Sequence, residues 1–454
     1  MVPVQEISLK RRVIRGGAWS IAGHFISQGI RLGGNLITTR LLMPELFGIM
    51  AIANVLLIGI EMLSDLGVRQ NIVQSSRGDD PEFLNTAWTI QIVRGLLLGM
   101  IVLALSGLIQ LAGQYNWLPV GSVYADNRLP GIIAMLSLTP LIAGFESTKL
   151  ATASRNLAVG HMTIIEIVAQ FMGPAVIIAW CEYEPSIWAL VAGWFAVSLT
   201  RMSLSHAVLP GVNNRLAWDR DSAKDIYHFG KWIFVSSILG FLLNNADRLM
   251  FGVFLTSNEL GIYAIAFMMV SAMETLLRKL MSCISFPALS ELYRREPGSL
   301  GGYYYRFRMP IDLVSLFLVG AMFACGQSVI DLLYDDRYRD AGWMLEILAV
   351  SLFFIRYDVA GLCYLVLGKP KLLTVIIFIR VVSVYLLVPL ACQFYGIKWA
   401  IWVVATNYAI ALPVMFYFNK VHGLSSLYNE IKVLPMVLLG VAFGSALALA
   451  LGKI

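Results

Sequence analysis

Phe-Gly-Ile-Met-Ala-Ile-Ala at residues 47–53 is followed 213 residues later by Leu-Gly-Ile-Tyr-Ala-Ile-Ala at residues 260–266. Two pairs of identical residues have the same spacing of 213: Gly17 with Gly230 and Trp19 with Trp232. At a spacing of 211 residues, Trp-Ala-Leu-Val at 188–191 resembles Trp-Ala-Ile-Trp at 399–402. Chance similarity between apolar helices is the alternative interpretation. Because glycine and tryptophan align as well as leucine and isoleucine, the pattern favours an internal duplication.

The composition predicts an all-α polytopic membrane protein. Hydrophobic residues make up 58% of the chain and charged residues 14%, with a mean hydropathy of +0.74, whereas a soluble domain is about 25% charged. A membrane helix needs about 20 apolar residues in a continuous run, which distinguishes it from an alternating barrel strand. Thirteen runs qualify, the first and last least clearly, and twelve of them form two sets of six: 17–38, 46–66, 86–112, 130–148, 161–181, 186–209, 229–251, 259–285, 310–333, 343–367, 371–392, 396–418 and 434–452.

Basic residues predict the orientation of the chain. With the N-terminus in the cytoplasm, lysine and arginine in short loops favour the cytoplasmic side by roughly four to one. The net charge of +6 is therefore a topology signal. The basic residues are scattered among short loops, and this distribution argues against a nucleic-acid partner.

The predicted spans divide into two lobes. Residues 1–210 form an N-terminal six-helix lobe, 211–228 a charged cytoplasmic linker, 229–420 a C-terminal six-helix lobe and 421–454 an additional helix. An even number of helices in each lobe makes the repeats parallel, related by an axis along the membrane normal. Such a pair predicts a transporter with a cleft between its halves that opens alternately to either side of the membrane.

The first predicted helix carries one narrow polar face. Its members lie three or four residues apart: Ser20, His24, Ser27, Arg31, Asn35 and Thr38. The seventh predicted helix has a similar face with Ser237, Asn244 and Arg248. A charge at these depths costs about 2.5–3.5 kcal/mol, which favours a functional cavity lined by Arg31 and Arg248. The alternative is pairing of these arginines with Asp247, Glu146, Glu166 or Glu274.

Several other buried polar residues are candidates for function. Arg94 in the third helix joins His24, Asn35 and Asn244 as a predicted substrate-binding residue, and Glu166 and Asp247 are candidates for coupling or gating. Pro174 follows Gly173 inside the fifth helix, where it is expected to weaken the helix and serve as a hinge. A protonation switch at His24 is open, although a helix-contact histidine is favoured. Cavity or structural roles stay open for Arg94, Glu166, Arg356 and Arg380.

Other patterns predict structural roles. The acidic residues in loop 67–86 suit a helix N-terminus, and the tyrosines and arginines in loop 286–309 suit interfacial anchoring. The five cysteines have no metal-ligand spacing and are expected to pack in the core, without a metal or cofactor: Cys181, Cys283, Cys325, Cys363 and Cys392. Asp335, Asp336 and Asp340 alternate with arginines, which favours a neutralised outer loop over a catalytic site of a membrane-bound glycan enzyme.

Four motifs together resemble those of the Wzx-type oligosaccharide flippases, or polysaccharide transporters, which share a superfamily with multidrug and toxin extrusion proteins. They are Arg-Leu-Leu-Met-Pro-Glu-Leu-Phe-Gly at 40–48, Ser-Asp-Leu-Gly at 64–67, Trp-Ala-Leu-Val at 188–191 and Phe-Pro-Ala-Leu-Ser at 286–290. The resemblance covers about residues 10–420. A multidrug or organic-cation antiporter of the same fold is the rival, but such an exporter favours an acidic residue where this chain has Arg31.

The resemblance implies a carrier that moves a polyprenyl-diphosphate-linked oligosaccharide across the inner membrane of a bacterium. It implies a V-shaped pair of six-helix lobes with a cationic cleft, in which the pyrophosphate lies near Arg31 and Arg248 while the lipid tail stays among membrane lipids. It also implies coupling to an ion gradient, with H⁺ or Na⁺ as the coupling ion, or to the membrane potential. Association with polysaccharide polymerase machinery stays open, as do the glycan and the oligomeric state.

Overall fold

A computed structural model describes residues 9–62, 67–156, 158–281, 289, 292–293 and 300–452. These residues form helices, turns and connecting segments, with no strand among them. The helices are α1 (Leu9–Leu41), α2 (Pro44–Met62), α3 (Val68–Gln74), α4 (Pro81–Gln114), α5 (Leu129–Leu136), α6 (Leu138–Gly144), α7 (Lys149–Arg155), α8 (Val159–Cys181), α9 (Ile187–Ala207), α10 (Arg220–Phe254), α11 (Ser257–Leu280), α12 (Leu300–Leu333), α13 (Ala341–Leu348), α14 (Leu352–Ile355), α15 (Asp358–Val366), α16 (Pro370–Phe394), α17 (Ile397–Val421), α18 (Leu427–Ile431) and α19 (Pro435–Leu451).

The prediction of an all-α polytopic membrane protein is confirmed. Ten helices in the described part of the chain are long and apolar enough to cross a bilayer. An eleventh span would be the bent pair formed by Leu129–Gly144 and Lys149–Arg155, which meet at 56°. The remaining two predicted spans correspond to α1 and α10, which have 33 and 35 residues but carry more polar and charged residues.

The prediction that residues 286–309 form a loop is wrong for residues 300–309. Helix α12 already begins at Leu300, so the tyrosine run and Arg308 are helical. Arg308 is completely buried instead of anchoring at an interface. Its burial is possible because the turns on either side of it, and α18, supply hydrogen-bond partners. The capping interpretation of loop 67–86 is confirmed, since Asp80 accepts a hydrogen bond from the backbone N–H of Glu82 at 3.1 Å.

The chain forms two compact units. The first contains Met1–Leu42 and Ile49–Phe241, and the second contains Met43–Gly48 and Leu242–Ile454. The boundary between units therefore lies inside α10 and not within residues 211–228. This division follows contacts and not sequence repeats, so the predicted lobes stay a prediction.

Residues 211–228, expected to be a linker, are bound along the first unit. The segment before α10 donates backbone N–H groups to side chains of α4: Arg215 to Asn85 at 2.9 Å, Ala217 to Thr89 at 3.1 Å and Asp219 to Thr86 at 3.0 Å. Upstream, the ammonium of Lys149 donates to the amide oxygen of Asn213 at 2.9 Å. The segment is thus an ordered strap that satisfies its own backbone through polar residues of neighbouring helices.

The glycines shared by the two repeated runs permit a close helix contact in the second unit. A Cβ atom on Gly48 would collide with the backbone of Ser257 and Gly261, and one on Gly261 would collide with the backbone of Pro44. The first turns of α2 and α11 therefore pack backbone against backbone. Only glycine allows this approach, which gives a packing reason for its presence in both runs.

Candidate functional site

The polar face of α1 lies in the first unit with Arg31 exposed and His24 and Asn35 partly buried. The helix packs against α8, where a Cβ atom on Gly34 would collide with the ring of Pro174. Helix α8 continues through Pro174. A hinge at Pro174 and substrate binding by the α1 residues stay predictions.

A cavity in the first unit contains Arg94, as the cavity interpretation of this residue predicts. Its volume is about 250 Å³, and Glu61, Met62 and Gln91 are among its other lining residues. The Nη2 atom of Arg94 donates to the backbone oxygen of Glu61 at 2.8 Å. The guanidinium is thereby held beside polar side chains within the apolar span of α4.

An ion cluster lies beside the break between α6 and α7. Arg201 of α9 lies 3.2 Å from Glu146 at the break and 3.9 Å from Glu166 of α8. Glu166 also accepts a hydrogen bond from Gln170 at 3.3 Å. Burial, and after it the positive charge of Arg201, lower the pKa of the Arg69 guanidinium of α3 below its ordinary value. Arg201 is absent from the predicted site residues. Like Arg31, however, it is a basic residue deep in an apolar run, and the same criterion would have selected it.

The second unit has a cavity of about 120 Å³. Its lining combines carboxylates, guanidiniums, amides and rings, including Asn244, Asp247, Phe267, Glu274, Arg278, Arg380, Asn407 and Tyr408. The predicted residues Asn244 and Asp247 are therefore brought together here. Glu274 and Arg278 are absent from the predicted site residues, because they lie on α11 near its C-terminus and resemble ordinary end-of-helix charges.

Arg248 lies over the ring of Phe267, with its guanidinium carbon 4.2 Å from the ring centroid. Neighbouring Asp247 is buried and accepts a hydrogen bond from the Tyr263 hydroxyl at 2.6 Å. In these contacts Arg248 and Asp247 each meet an aromatic side chain, whereas the predicted alternative was an ion pair between Arg248 and Asp247. A guanidinium on an aromatic face keeps donors available in its own plane.

The other charges of the second cavity form a network. Asp358, at the start of α15, pairs with Arg278, whose guanidinium also lies 3.9 Å from Glu274. Glu274 accepts from the hydroxyl of Ser351 at 2.7 Å. On the other side, Arg380 donates to Asn407 at 2.8 Å and lies over a tyrosine ring at 4.4 Å. Arg380 is therefore a cavity residue.

Arg356 belongs to a separate structural network. It is completely buried, with its Nη2 atom 2.6 Å from Glu430 of α18 and its Nε atom 3.5 Å from Asp312. Arg308 binds the same two carboxylates, at 2.5 Å for Glu430 and 3.0 Å for Asp312. Two guanidiniums and two carboxylates thus neutralise one another, so the cavity alternative for Arg356 is wrong. No sequence pattern indicates that Glu430, over a hundred residues away from Arg308, is the common partner.

The remaining candidates are structural. Cys181, Cys325, Cys363 and Cys392 are free thiols, while Cys283 lies outside the described residues. Asp335 pairs with Arg337 at 2.5 Å, which confirms a neutralised loop there. Within the described ranges, no group of three or more histidine, cysteine, aspartate or glutamate side chains is arranged to hold a metal.

Comparison with solved structures shows the fold. The lipid II flippase MurJ in an inward closed conformation aligns with 97% of this chain and 98% of its own length, with a TM-score of 0.69 and 10% identity. An inward-facing multidrug resistance transporter of the MATE family aligns with 95% of this chain and 96% of its own length, with a TM-score of 0.58 and 13% identity. Both fold relatives are transporters.

Sequence comparison gives relatives in polysaccharide biosynthesis. Lipopolysaccharide biosynthesis protein WzxC of Escherichia coli (strain K12) is 21% identical over 349 residues, which cover 76% of this chain and 68% of WzxC. Teichuronic acid biosynthesis protein TuaB of Bacillus subtilis (strain 168) is 21% identical over 296 residues, covering 64% of this chain and 58% of TuaB. The polysaccharide biosynthesis protein family matches residues 37–342. Because that match extends over more than half of a multi-pass, all-helical membrane chain, the protein belongs to the polysaccharide biosynthesis protein family.

Proposed function

We propose that this protein is a flippase that moves a polyprenyl-diphosphate-linked oligosaccharide across the cytoplasmic membrane for surface polysaccharide biosynthesis. Its N-terminus lies in the cytoplasm, and it works by alternating access and not as an enzyme. Family membership, relatives named for lipopolysaccharide and teichuronic acid biosynthesis, and a transporter fold support this proposal.

The observation that carries the proposal is the presence of arginines within the long helices α1, α4 and α10. Arg31 is exposed on α1, Arg94 lines a cavity and the guanidinium carbon of Arg248 lies 4.2 Å from the centroid of the Phe267 ring. Guanidinium groups bind phosphate oxygens with paired hydrogen bonds, and a low dielectric strengthens that attraction. The proposed ligands of the diphosphate are Arg31, Arg248 and Arg94, and the other proposed substrate-binding residues are His24, Asn35 and Asn244.

Replacing Arg31 or Arg248 by alanine should abolish transport while the protein still reaches the membrane. The measurement is the accumulation of lipid-linked intermediates on the inner leaflet of cells that make a surface polysaccharide. Arg128→Ala is the matched control, because Arg128 pairs with Asp126 in a loop outside the spans at 2.7 Å. Lysine at position 31 or 248 should retain part of the activity if charge alone binds the cargo, and little if the planar fork is required. Normal transport by both alanine variants would refute the binding role.

The alternative is an organic-cation or multidrug antiporter with the same fold. It is considered because a multidrug resistance transporter of the MATE family has a similar fold. The exposed positive charge of Arg31 disfavours a cationic cargo. Loss of the protein should trap glycan intermediates inside the cell if the flippase proposal holds. Unchanged polymer together with altered drug tolerance would favour the antiporter.

A further inference from the structure

One end of the second unit carries five exposed basic side chains, and we call this surface the basic end. They lie near the starts of α12 and α16, in the last turn of α17 and directly after α18: Arg306, Lys369, Lys371, Lys420 and Lys432. Exposed charges of one sign on a common surface produce a positive potential there. Such a potential attracts anions.

A hydrogen bond joins the start of α16 to the end of α17. The ammonium of Lys369 donates to Nε2 of His422 at 2.9 Å. The Nδ1 atom of His422 lies 2.8 Å from the backbone oxygen of Phe418, which can only accept, so Nδ1 carries the ring proton and Nε2 is the acceptor. Lys371 and Lys420 are each two residues from one of these partners. The hydrogen bond therefore places them at the same end of the unit.

A second set of contacts joins α12 to α18. The hydroxyl of Tyr305 donates to Glu430 at 3.0 Å and accepts from the backbone N–H of Ser426 at 2.9 Å. Arg306 follows Tyr305 directly, and Lys432 is the second residue after Glu430. The short segment between α17 and α18 connects the two sets of contacts, so all five basic residues share one end of the second unit.

Within the ranges that the structure describes, no carboxylate pairs with the basic end. The salt bridges of the second unit involve four other basic residues: Arg278, Arg308, Arg337 and Arg356. Glu430 lies close in sequence to Lys432, but its side chain is only 14% exposed and binds Arg308 and Arg356. The described side chains thus leave the five positive charges uncompensated.

The basic residues of the first unit, expected on the same side of the membrane, are neutralised. Arg77 pairs with Asp80 at 3.0 Å and lies 3.6 Å from Asp219. Arg155 pairs with Asp79 at 3.1 Å. The general preference for basic residues in cytoplasmic loops acts on both units. It therefore does not explain why only the second unit presents basic residues without carboxylates.

The helix starts at the basic end add to its positive charge. A helix N-terminus carries a partial positive charge, which an acidic residue in the first turn compensates. In the first unit, α4 has Glu82 and α10 has Asp221 at this position. In the second unit, α12, α16 and α19 have no acidic residue in the first turn, and α16 has Lys371 there. An external anion would compensate these helix starts.

Exposed apolar side chains accompany the charges and favour a lipid as the source of the anion. Val421, Tyr428 and Ile431 are each more than half exposed. The ammonium of Lys432 lies 5.6 Å from the centroid of the Tyr428 ring. In the headgroup layer of a bilayer, such apolar groups are buried while lysines reach the phosphates. A water-soluble polyanion would leave the apolar groups in water.

We propose that the basic end binds the phosphodiester headgroup of an anionic phospholipid in the leaflet that it faces, which is the cytoplasmic leaflet in the predicted topology. The lysine ammoniums donate to phosphate oxygens, and the bound lipid stabilises the ends of α12, α16, α17 and α18 against one another. The inference rests on surface charges and not on the cargo, so it can hold or fail separately from the flippase proposal.

The test compares thermal unfolding of the purified, cargo-free, full-length protein in nanodiscs of phosphatidylcholine with and without about 30% phosphatidylglycerol. Phosphatidylglycerol should raise the unfolding midpoint, because a ligand that binds only the folded state stabilises it. A triple variant should lose most of this increase: Lys371→Gln, Lys420→Gln and Lys432→Gln.

The matched control removes three exposed positive charges from the first unit and should keep the increase: Arg215→Gln, Arg220→Gln and Lys224→Gln. Equal midpoints of the unmodified protein in the two lipids would overturn the proposal. A full increase in the folded triple variant at the basic end would do so as well.

Further measurements on the unmodified protein keep the test decisive if a variant fails to fold. Hydrogen exchange at the backbone of 422–431 should be slower with phosphatidylglycerol, while exchange at the strap residues 213–219 should not change. The increase in the midpoint should shrink between about 0.05 and 0.5 M NaCl, because salt screens exposed charges. Neither inorganic phosphate nor heparin should reproduce the increase in phosphatidylcholine alone. If either did, the ligand would be a soluble anion, and the assignment to a lipid would be overturned.

Discussion

At the scale of single residues, the strongest interactions in the second unit join charges that are far apart in sequence. Glu430 binds two guanidiniums that are completely buried, those of Arg308 and Arg356. It also accepts a hydrogen bond from the Tyr305 hydroxyl at 3.0 Å. One carboxylate from α18 thereby contacts both buried charges, which it neutralises together with Asp312, and fastens the C-terminal helices to α12.

Replacing Glu430 by glutamine should destabilise the second unit strongly. Removing one partner of a buried ion pair costs about 3–5 kcal/mol, because the other charge stays buried without compensation. The measurement is the free energy of unfolding in detergent, or the midpoint of thermal unfolding. Glu259→Gln, at the first turn of α11, is a helix-capping control that should lose only about 1 kcal/mol. Equal losses in the two variants would contradict this account of the network.

Asp219 should make the strap before α10 sensitive to acid. Hydrogen bonds from the Ser222 hydroxyl and backbone N–H, followed by the charge of Arg77, hold the pKa of Asp219 below its ordinary value. The stabilisation is therefore present above the unfolded pKa of about 3.9 and is lost as pH falls through the lower folded pKa. Hydrogen exchange at the Ser222 amide should accelerate in that acidic range. Asp219→Ala, which has no side-chain acceptor for Ser222, should show fast exchange already at neutral pH, and equal protection in both proteins would contradict the prediction.

At the scale of helices, close packing depends on residues that sequence patterns already single out. The repeated glycines Gly48 and Gly261 allow α2 and α11 to meet backbone to backbone. In the C-terminal part, Gly320 of α12 and Gly440 of α19 lie against backbone atoms of the opposite helix. The additional helix, whose role the sequence left open, is thus an integral part of the second unit.

Gly261→Ala should destabilise the protein, whereas Gly240→Ala should not. The new methyl group at 261 would overlap the backbone of Pro44, and such overpacking costs about 1–3 kcal/mol. A Cβ atom on Gly240 in α10 meets nothing within 4 Å, so alanine there should gain up to about 1 kcal/mol of helix propensity. Both variants are compared by the free energy of unfolding. If Gly261→Ala left the free energy of unfolding unchanged, α2 and α11 could move apart without a loss of stability.

At the scale of the whole molecule, basic residues and hydropathy predict how the chain crosses the membrane. Apolar runs predicted thirteen spans, and the described helices coincide with them. Orientation stays a prediction, because it depends on charges in loops relative to a bilayer. Loop 67–86 is expected in the cytoplasm, and the loop after α4 is expected outside.

Cysteine labelling in intact cells tests this orientation. Val120→Cys, at a fully exposed position after α4, should react with a membrane-impermeant maleimide added from outside. Ser76→Cys, also exposed, should react only after the membrane is permeabilised. The free thiols of the unmodified chain serve as the background control. Reversed labelling would invert the predicted topology and with it the proposed direction of transport.

The sequence by itself determined the all-helical class and the membrane environment, because continuous apolar runs depend only on local composition. Thirteen spans were predicted, and ten described helices, or eleven with the bent pair, are long and apolar enough to cross a bilayer. The sequence also singled out Arg94 as a charge inside an apolar run, with a cavity or a structural role left open, and in the structure Arg94 lines a cavity.

Only the tertiary structure decided which charges meet. Arg201 with Glu146, Arg278 with Asp358 and Arg308 with Glu430 join residues from different helices. The pairing of such residues is set by how helices pack and rotate, and no local pattern encodes it. The same limit applies to Arg356, whose sequence position resembled a cavity charge and whose surroundings are a neutralised, buried network.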